Sequence, residues 1–108
     1  WELKHGPIAL IEDGTPVIAI APSDETISLM ESSIRECKAR GARIILITDN
    51  EGPIMNLADV VLQVPSTHRD LSPIVNAVPL QLLAYDLAVA NGLNVDRPRN
   101  LAKSVTVN

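Results

Sequence analysis

Lys103 and His5 stand near opposite ends of a 108-residue chain, and each carries a group suited to covalent or proton-transfer chemistry. A lysine amine adds to a ketone or aldehyde only when uncharged. Desolvation or a neighbouring cation must therefore pull its pKa down from about 10.4. "LAKSVTV" at 101–107 sets Lys103 as a lone cation among small and β-branched residues. If this tail folds over a pocket, the amine meets that condition; taken alone, the residues favour a solvated tail lysine. His5 lies in "ELKHGP", where Gly6 and Pro7 force a turn and hold the ring at a chain reversal. An imidazole titrating near neutrality suits proton transfer, although a solvated turn histidine is the simpler reading.

Other polar residues have simpler explanations. Asp49 and Asn50 follow an apolar run at 43–48, where ligands of open parallel sheets gather; a turn accounts for them as well. Asp24 and Glu25 read as charges at a helix start, His68 in "STHRD" as a loop residue, and Cys37 as an inert member of an apolar helix face. No dinucleotide, phosphate-loop, zinc or calcium motif occurs, so no cofactor is expected. The two histidines are far apart and have one cysteine as soft partner, so no metal site is expected either.

The elements that must position these groups follow from apolar patterning. "PVIAIA" at 16–21, "RIILIT" at 43–48 and "VVLQV" at 60–64 read as buried strands. A helix is expected over 25–40, capped by Ser23 or Asp24, with Ile27, Met30, Ile34 and Cys37 on one face and Gly41 as its stop. Residues 49–59 hold at most a short helical turn. Ser72 followed by Pro73 should open a second helix that runs to about Ala90, ends at Asn91–Gly92 and kinks at Pro79. Continuously apolar strands joined by helices indicate an α/β domain with a mostly parallel sheet. Three strands and two long helices are a thin version of it, leaving a face short of cover.

Composition narrows the function. A net charge of −4, a pI near 5.0 and a single Trp and Tyr argue against nucleic acid and anionic membrane surfaces as partners. Segment 73–90 contains Asn76, Gln81 and Asp86 and reads as too polar for a bilayer span. One cysteine allows no internal disulfide, consistent with a cytoplasmic setting. No signal peptide is visible, and an opening at Trp1 suggests a piece of a longer protein.

"ELKHGPIALI" at 2–11 and "VPLQLLAYDLAVANGLNVDRPRNLAKSVTV" at 78–107 resemble the C-terminus of the isomerizing glutamine–fructose-6-phosphate aminotransferase family. The likeness spans nearly the whole chain, and the ending is its most specific part. That family closes with two sugar isomerase (SIS) domains, each a three-layer α/β/α sandwich. The resemblance implies that residues 1–92 are an incomplete SIS domain, roughly the last three strands and two long helices of five-stranded architecture. Residues 93–108 would be a catalytic tail. Lys103 would form a Schiff base with an open-chain ketose phosphate, with the Ala102 backbone against the substrate. His5 would assist ring opening, reaching the neighbouring subunit's site in a homo-oligomer. Trp1 and Asn108 depart from the family's usual small residue and glutamate.

The partners so implied are fructose 6-phosphate or glucosamine 6-phosphate, together with the glutaminase domain and first SIS domain of a longer chain. Without those domains the segment is expected to be inactive. Two rival readings are a sugar-phosphate-sensing SIS module without chemistry and a dimerisation domain.

Overall fold

The computed structural model describes residues 3–101. Short 3-10 turns at Leu3–His5 and Pro7–Leu10 lead into strand β1 (Pro16–Ala21), helix α1 (Ile27–Ala39) and strand β2 (Arg43–Thr48). A 3-10 turn at Pro53–Leu57, strand β3 (Val60–Gln63), a further 3-10 turn at Arg69–Leu71 and helix α2 (Ser72–Ala90) follow. The three expected strands and two long helices are all present.

The sheet is parallel throughout, in the order β1-β2-β3. Strand β1 pairs with β2 from Pro16↔Arg43 to Ala21↔Thr48, and β2 with β3 from Ile45↔Val60 to Thr48↔Gln63. Because side chains alternate along a strand, Val17, Ala19 and Ala21 share a face with Ile44, Leu46 and Thr48. That face forms the core together with Ile34 and Cys37 of α1 and Ile54 of the 53–57 turn. Ile44, Leu46 and Ile54 are fully buried, each stabilising the fold by about 1.5–3 kcal/mol through the hydrophobic effect. On the opposite face Ile18 and Val60 stay substantially exposed while Ile47 is fully buried.

Two helix ends follow one rule. Gly41 (φ +88°) and Gly92 (φ +70°) adopt the left-handed conformation that only glycine takes without strain. Each closes a paired carbonyl cap: Gly41 N–H donates to Lys38 O and Ala42 N–H to Cys37 O, as Gly92 N–H does to Val89 O and Leu93 N–H to Ala88 O.

Helix starts differ from expectation. α1 begins at Ile27, not 25, because Asp24 builds its own turn: its Oδ1 accepts from Thr26 N–H at 2.7 Å and from Thr26 Oγ1–H at 2.5 Å. Ser72 is already helical, and its hydroxyl accepts from Asn76 Nδ2 at 2.9 Å instead of capping the backbone. The cap just upstream is His68, whose Nδ1 accepts from Asp70 N–H at 3.2 Å and so opens the 69–71 turn.

The chain divides into two compact units, 1–76 and 77–108. Within the second, α2 continues through Pro79 to Ala90 with Val78, Leu82, Tyr85, Leu87 and Val89 at least half exposed. Contrary to expectation, the helical stretch Arg69–Ala90 holds an 18-residue window with a mean hydropathy of 1.4 and is long and apolar enough to cross a membrane by length and composition. Asn76, Gln81 and Asp86 do not offset the Ile, Val, Leu and Ala around them.

Candidate functional site

The carboxyl ends of β1 and β2 point toward a cleft of about 410 Å³, where open parallel sheets receive ligands. Thr48, fully buried at the end of β2, anchors its base. The Thr48 hydroxyl donates to Ala21 O at 2.6 Å and accepts from Asn50 N–H at 3.0 Å, joining both strands to the following loop. Asp49 Oδ1 then accepts from Ser23 N–H at 2.7 Å, and Asn50 Nδ2 donates to Ser23 Oγ at 3.1 Å. The loops after β1 and β2 are thereby stitched together. Asp49 and Asn50 do more than shape their own turn, since they fix the opposite loop.

Pro22, Ser23, Asp24 and Glu25 form one side of this cleft, Asp49 its base, and Thr67, Arg69, Ser72 and Pro73 the other side. Arg69 pairs with Glu25 at 2.9 Å across the opening. Hydrogen bonds from the Thr26 hydroxyl and N–H hold the Asp24 carboxyl below its usual range, which keeps it ionised at neutral pH. With Glu25 and Arg69 mutually neutralised, Asp24 and Asp49 leave the cleft net negative. The linear sequence offers no motif for this arrangement, because its residues come from three separate segments between Pro22 and Pro73.

His5 lies elsewhere. It is exposed on the first 3-10 turn and lines a cleft of about 240 Å³ with Leu3, Lys4 and the Leu29, Ser32, Ser33 and Glu36 stripe of α1. Lys4 Nζ pairs with Glu36 Oε1 at 3.2 Å and ties this turn to the helix. The expected chain reversal at Gly6–Pro7 is present. The two clefts share no lining residue, so the described chain does not bring His5 to the strand-end cleft. Ala102 and Lys103 lie outside the described residues.

Cys37 is buried, and desolvation pushes its thiol pKa up, as an inert core cysteine requires. Among the described residues no three His, Cys, Asp or Glu side chains gather to hold a metal.

A parallel sheet with a polar cleft at its carboxyl edge defines an open α/β class of fold. Within it, the SIS domain family matches residues 1–91, and the chain belongs to that family. The match takes in all of α2 and so makes that apolar helix an element of an α/β domain. Among curated proteins, the chain is 58% identical over 106 residues to the glutamine–fructose-6-phosphate aminotransferase (isomerizing) of Thermococcus kodakarensis. It is 56% identical over 106 residues to the protein of that name from Pyrococcus horikoshii. These alignments cover 98% of this chain but only 17% and 18% of the relatives. The solved C-terminal domain of glucosamine-fructose-6-phosphate aminotransferase from Francisella tularensis superposes with a TM-score of 0.79 at 36% identity. That superposition covers 89% of this chain and 28% of that one.

Proposed function

We propose that this chain is the C-terminal part of the isomerase lobe of a glutamine–fructose-6-phosphate aminotransferase, which makes glucosamine 6-phosphate and glutamate from fructose 6-phosphate and glutamine. One observation carries the reading: 58% identity to a relative of that name, sustained over 98% of the chain. Residues 1–92 form the SIS portion and 93–108 the tail.

In this reading the uncharged Lys103 amine attacks the C2 carbonyl of the open-chain ketose and expels water to form an imine. Covalent capture turns later steps into reactions of a tethered substrate. The Ala102 backbone lies beside the sugar, and His5 shuttles the ring-opening proton from a neighbouring subunit. An exposed His5 on a turn held by Leu3 against the core and by the Lys4–Glu36 pair suits a histidine that reaches outward to a partner's site. The glutaminase domain and first SIS domain supply ammonia and the phosphate contacts, so the 108-residue chain alone is inactive.

Homo-oligomerisation and burial against the rest of the lobe fit α2, which is apolar around most of its circumference. Such a helix requires cover. An acidic, cytoplasmic protein without nucleic-acid or membrane partners fits the net charge.

Replacing the matching C-terminal segment of the Thermococcus kodakarensis relative with this sequence tests the reading. The chimera should make glucosamine 6-phosphate, and Lys103→Ala should lower turnover by at least ~10³-fold, as loss of a covalent nucleophile does. Borohydride should trap the ketose phosphate on Lys103, located by mass spectrometry. Turnover that survives Lys103→Ala, with no label at that position, would overturn the assignment.

A further inference from the structure

Helix α2 carries an ordered pattern on its exposed side. Ile74, Val78, Leu82, Tyr85 and Val89 follow one another at intervals of four, four, three and four residues, and each is at least half exposed. At 3.6 residues per turn they fall within an arc of about 80°, a single stripe along the helix. Asn76, Leu80 and Leu83, buried or half-buried, lie on the other side.

The stripe is free of charge. No Asp, Glu, Lys, Arg or His occurs from Leu71 to Tyr85, and Asp86 falls just outside the arc. A surface of this kind escapes the repulsion that a net charge of −4 sets between copies elsewhere.

The spacing also reads nearly the same from either end. When two copies of α2 lie antiparallel, Ile74 of one falls level with Val89 of the other, Val78 with Tyr85, and Leu82 with its own counterpart. The larger Tyr85 thus meets the smaller Val78, as interlocking side chains require. Asp86 falls level with the uncharged turn around Ala77. A parallel pair would stack Tyr85 on Tyr85, bring both Asp86 carboxylates to one level and align the two helix dipoles. In area, the five side chains of each copy expose on the order of 500 Å², so pairing covers about 1,000 Å², the size at which specific interfaces begin.

We infer that the partner of this stripe is a second copy of the chain, its α2 packed antiparallel to the first across a twofold axis beside Leu82. The inference rests on the homo-oligomer reading above and names the surface that joins the copies.

Sedimentation velocity of the 108-residue chain over a concentration series should show a species of twice 11.6 kDa that dissociates on dilution. Leu82→Glu sets two carboxylates together at the axis. It should weaken the pair at least about 30-fold, as loss of a central anchor does, with far-UV circular dichroism unchanged. Disulfide capture keeps the test sharp even where that variant fails to fold. In a Cys37→Ala background, oxidised Leu82→Cys should link two copies, and Leu87→Cys, exposed on the opposite side of the helix, should not. Mixed Val78→Cys and Tyr85→Cys chains should link to each other in preference to themselves.

A monomer at every concentration would leave the stripe to another part of a longer chain and overturn the inference. So would a dimer indifferent to Leu82→Glu, equal linkage through Leu82→Cys and Leu87→Cys, Tyr85→Cys linking chiefly to itself, or transfer of the chain to phosphatidylcholine vesicles. A dimer joined elsewhere leaves the homo-oligomer reading standing, whereas a monomer removes both. None of these outcomes bears on Lys103 labelling.

Discussion

Replacing Thr48 by valine keeps the shape of the side chain and deletes the hydroxyl that joins β1, β2 and the Asn50 loop. Its Oγ1 donates to Ala21 O at 2.6 Å and accepts from Asn50 N–H at 3.0 Å, at a position with no solvent exposure. Ala21 is only 1% exposed, so its carbonyl loses a partner that water does not replace, costing about 1–3 kcal/mol. Asn50 is half-buried and within reach of water, which makes its share about 0.5–1 kcal/mol. The added methyl group returns roughly 0.8 kcal/mol. The net loss is about 2 kcal/mol, a large part of the ~5–15 kcal/mol that holds such a domain together. For a domain of this size that lowers the melting temperature by about 8–15 °C.

Thermal unfolding followed by circular dichroism measures it, with Thr48→Ser as control. Serine keeps the hydroxyl and loses one buried methyl, for about 1 kcal/mol. If valine is tolerated better than serine, the hydroxyl does not hold the two strand ends, and the account of how the cleft is shaped is wrong.

Three further outcomes follow from local geometry and titration. At Gly41 (φ +88°) an added Cβ would lie 2.7 Å from Asp13 Oδ1 and 2.8 Å from Asp13 Cα; Gly41→Ala should therefore destabilise by more than ~1 kcal/mol in urea unfolding. Native Cys37 should react with a thiol reagent far more slowly than in urea, since burial disfavours its thiolate. Its raised folded pKa contributes stability that is complete below the unfolded value and is lost as pH climbs above it. Urea midpoints should therefore fall on the alkaline side less steeply in Cys37→Ala than in the parent chain.

Where local chemistry decides, the elements could be read from residue order. "PVIAIA", "RIILIT" and most of "VVLQV" are the three strands, and Gly41 and Gly92 stop both helices because their left-handed conformation is a property of glycine itself. Helix starts were less legible, since several side chains compete to cap. Asp24 spends its carboxylate on Thr26, Ser72 turns its hydroxyl to Asn76, and His68, read as a plain loop residue, opens the turn before α2. Of the strand-end cleft, the position of Asp49 after β2 was legible and its partners from the other loops were not. Ser23 and Asp49 meet only because parallel pairing brings the ends of β1 and β2 side by side, and Thr67 joins them from the loop after β3. The hydropathy of α2 was understated by attending to three polar residues out of nineteen. His5 keeps its expected turn, while Ala102 and Lys103 rest on resemblance and on the trapping experiment.

Both rims of the sheet are tied by hydrogen bonds, but the segment after β3 differs from the rest. At the amino rim, Gly14 N–H reaches Gly41 O and Arg43 N–H reaches Thr15 O, both at 2.8 Å, while Asp59 bonds both the N–H and the carbonyl of Ile44. Extra residues inserted there would break strand alignment itself. At the other rim, the segment from 64 to 71 carries little more than a three-residue turn. Lengthening it would reshape the opening and spare the scaffold, so diversification among related sequences should concentrate on that side.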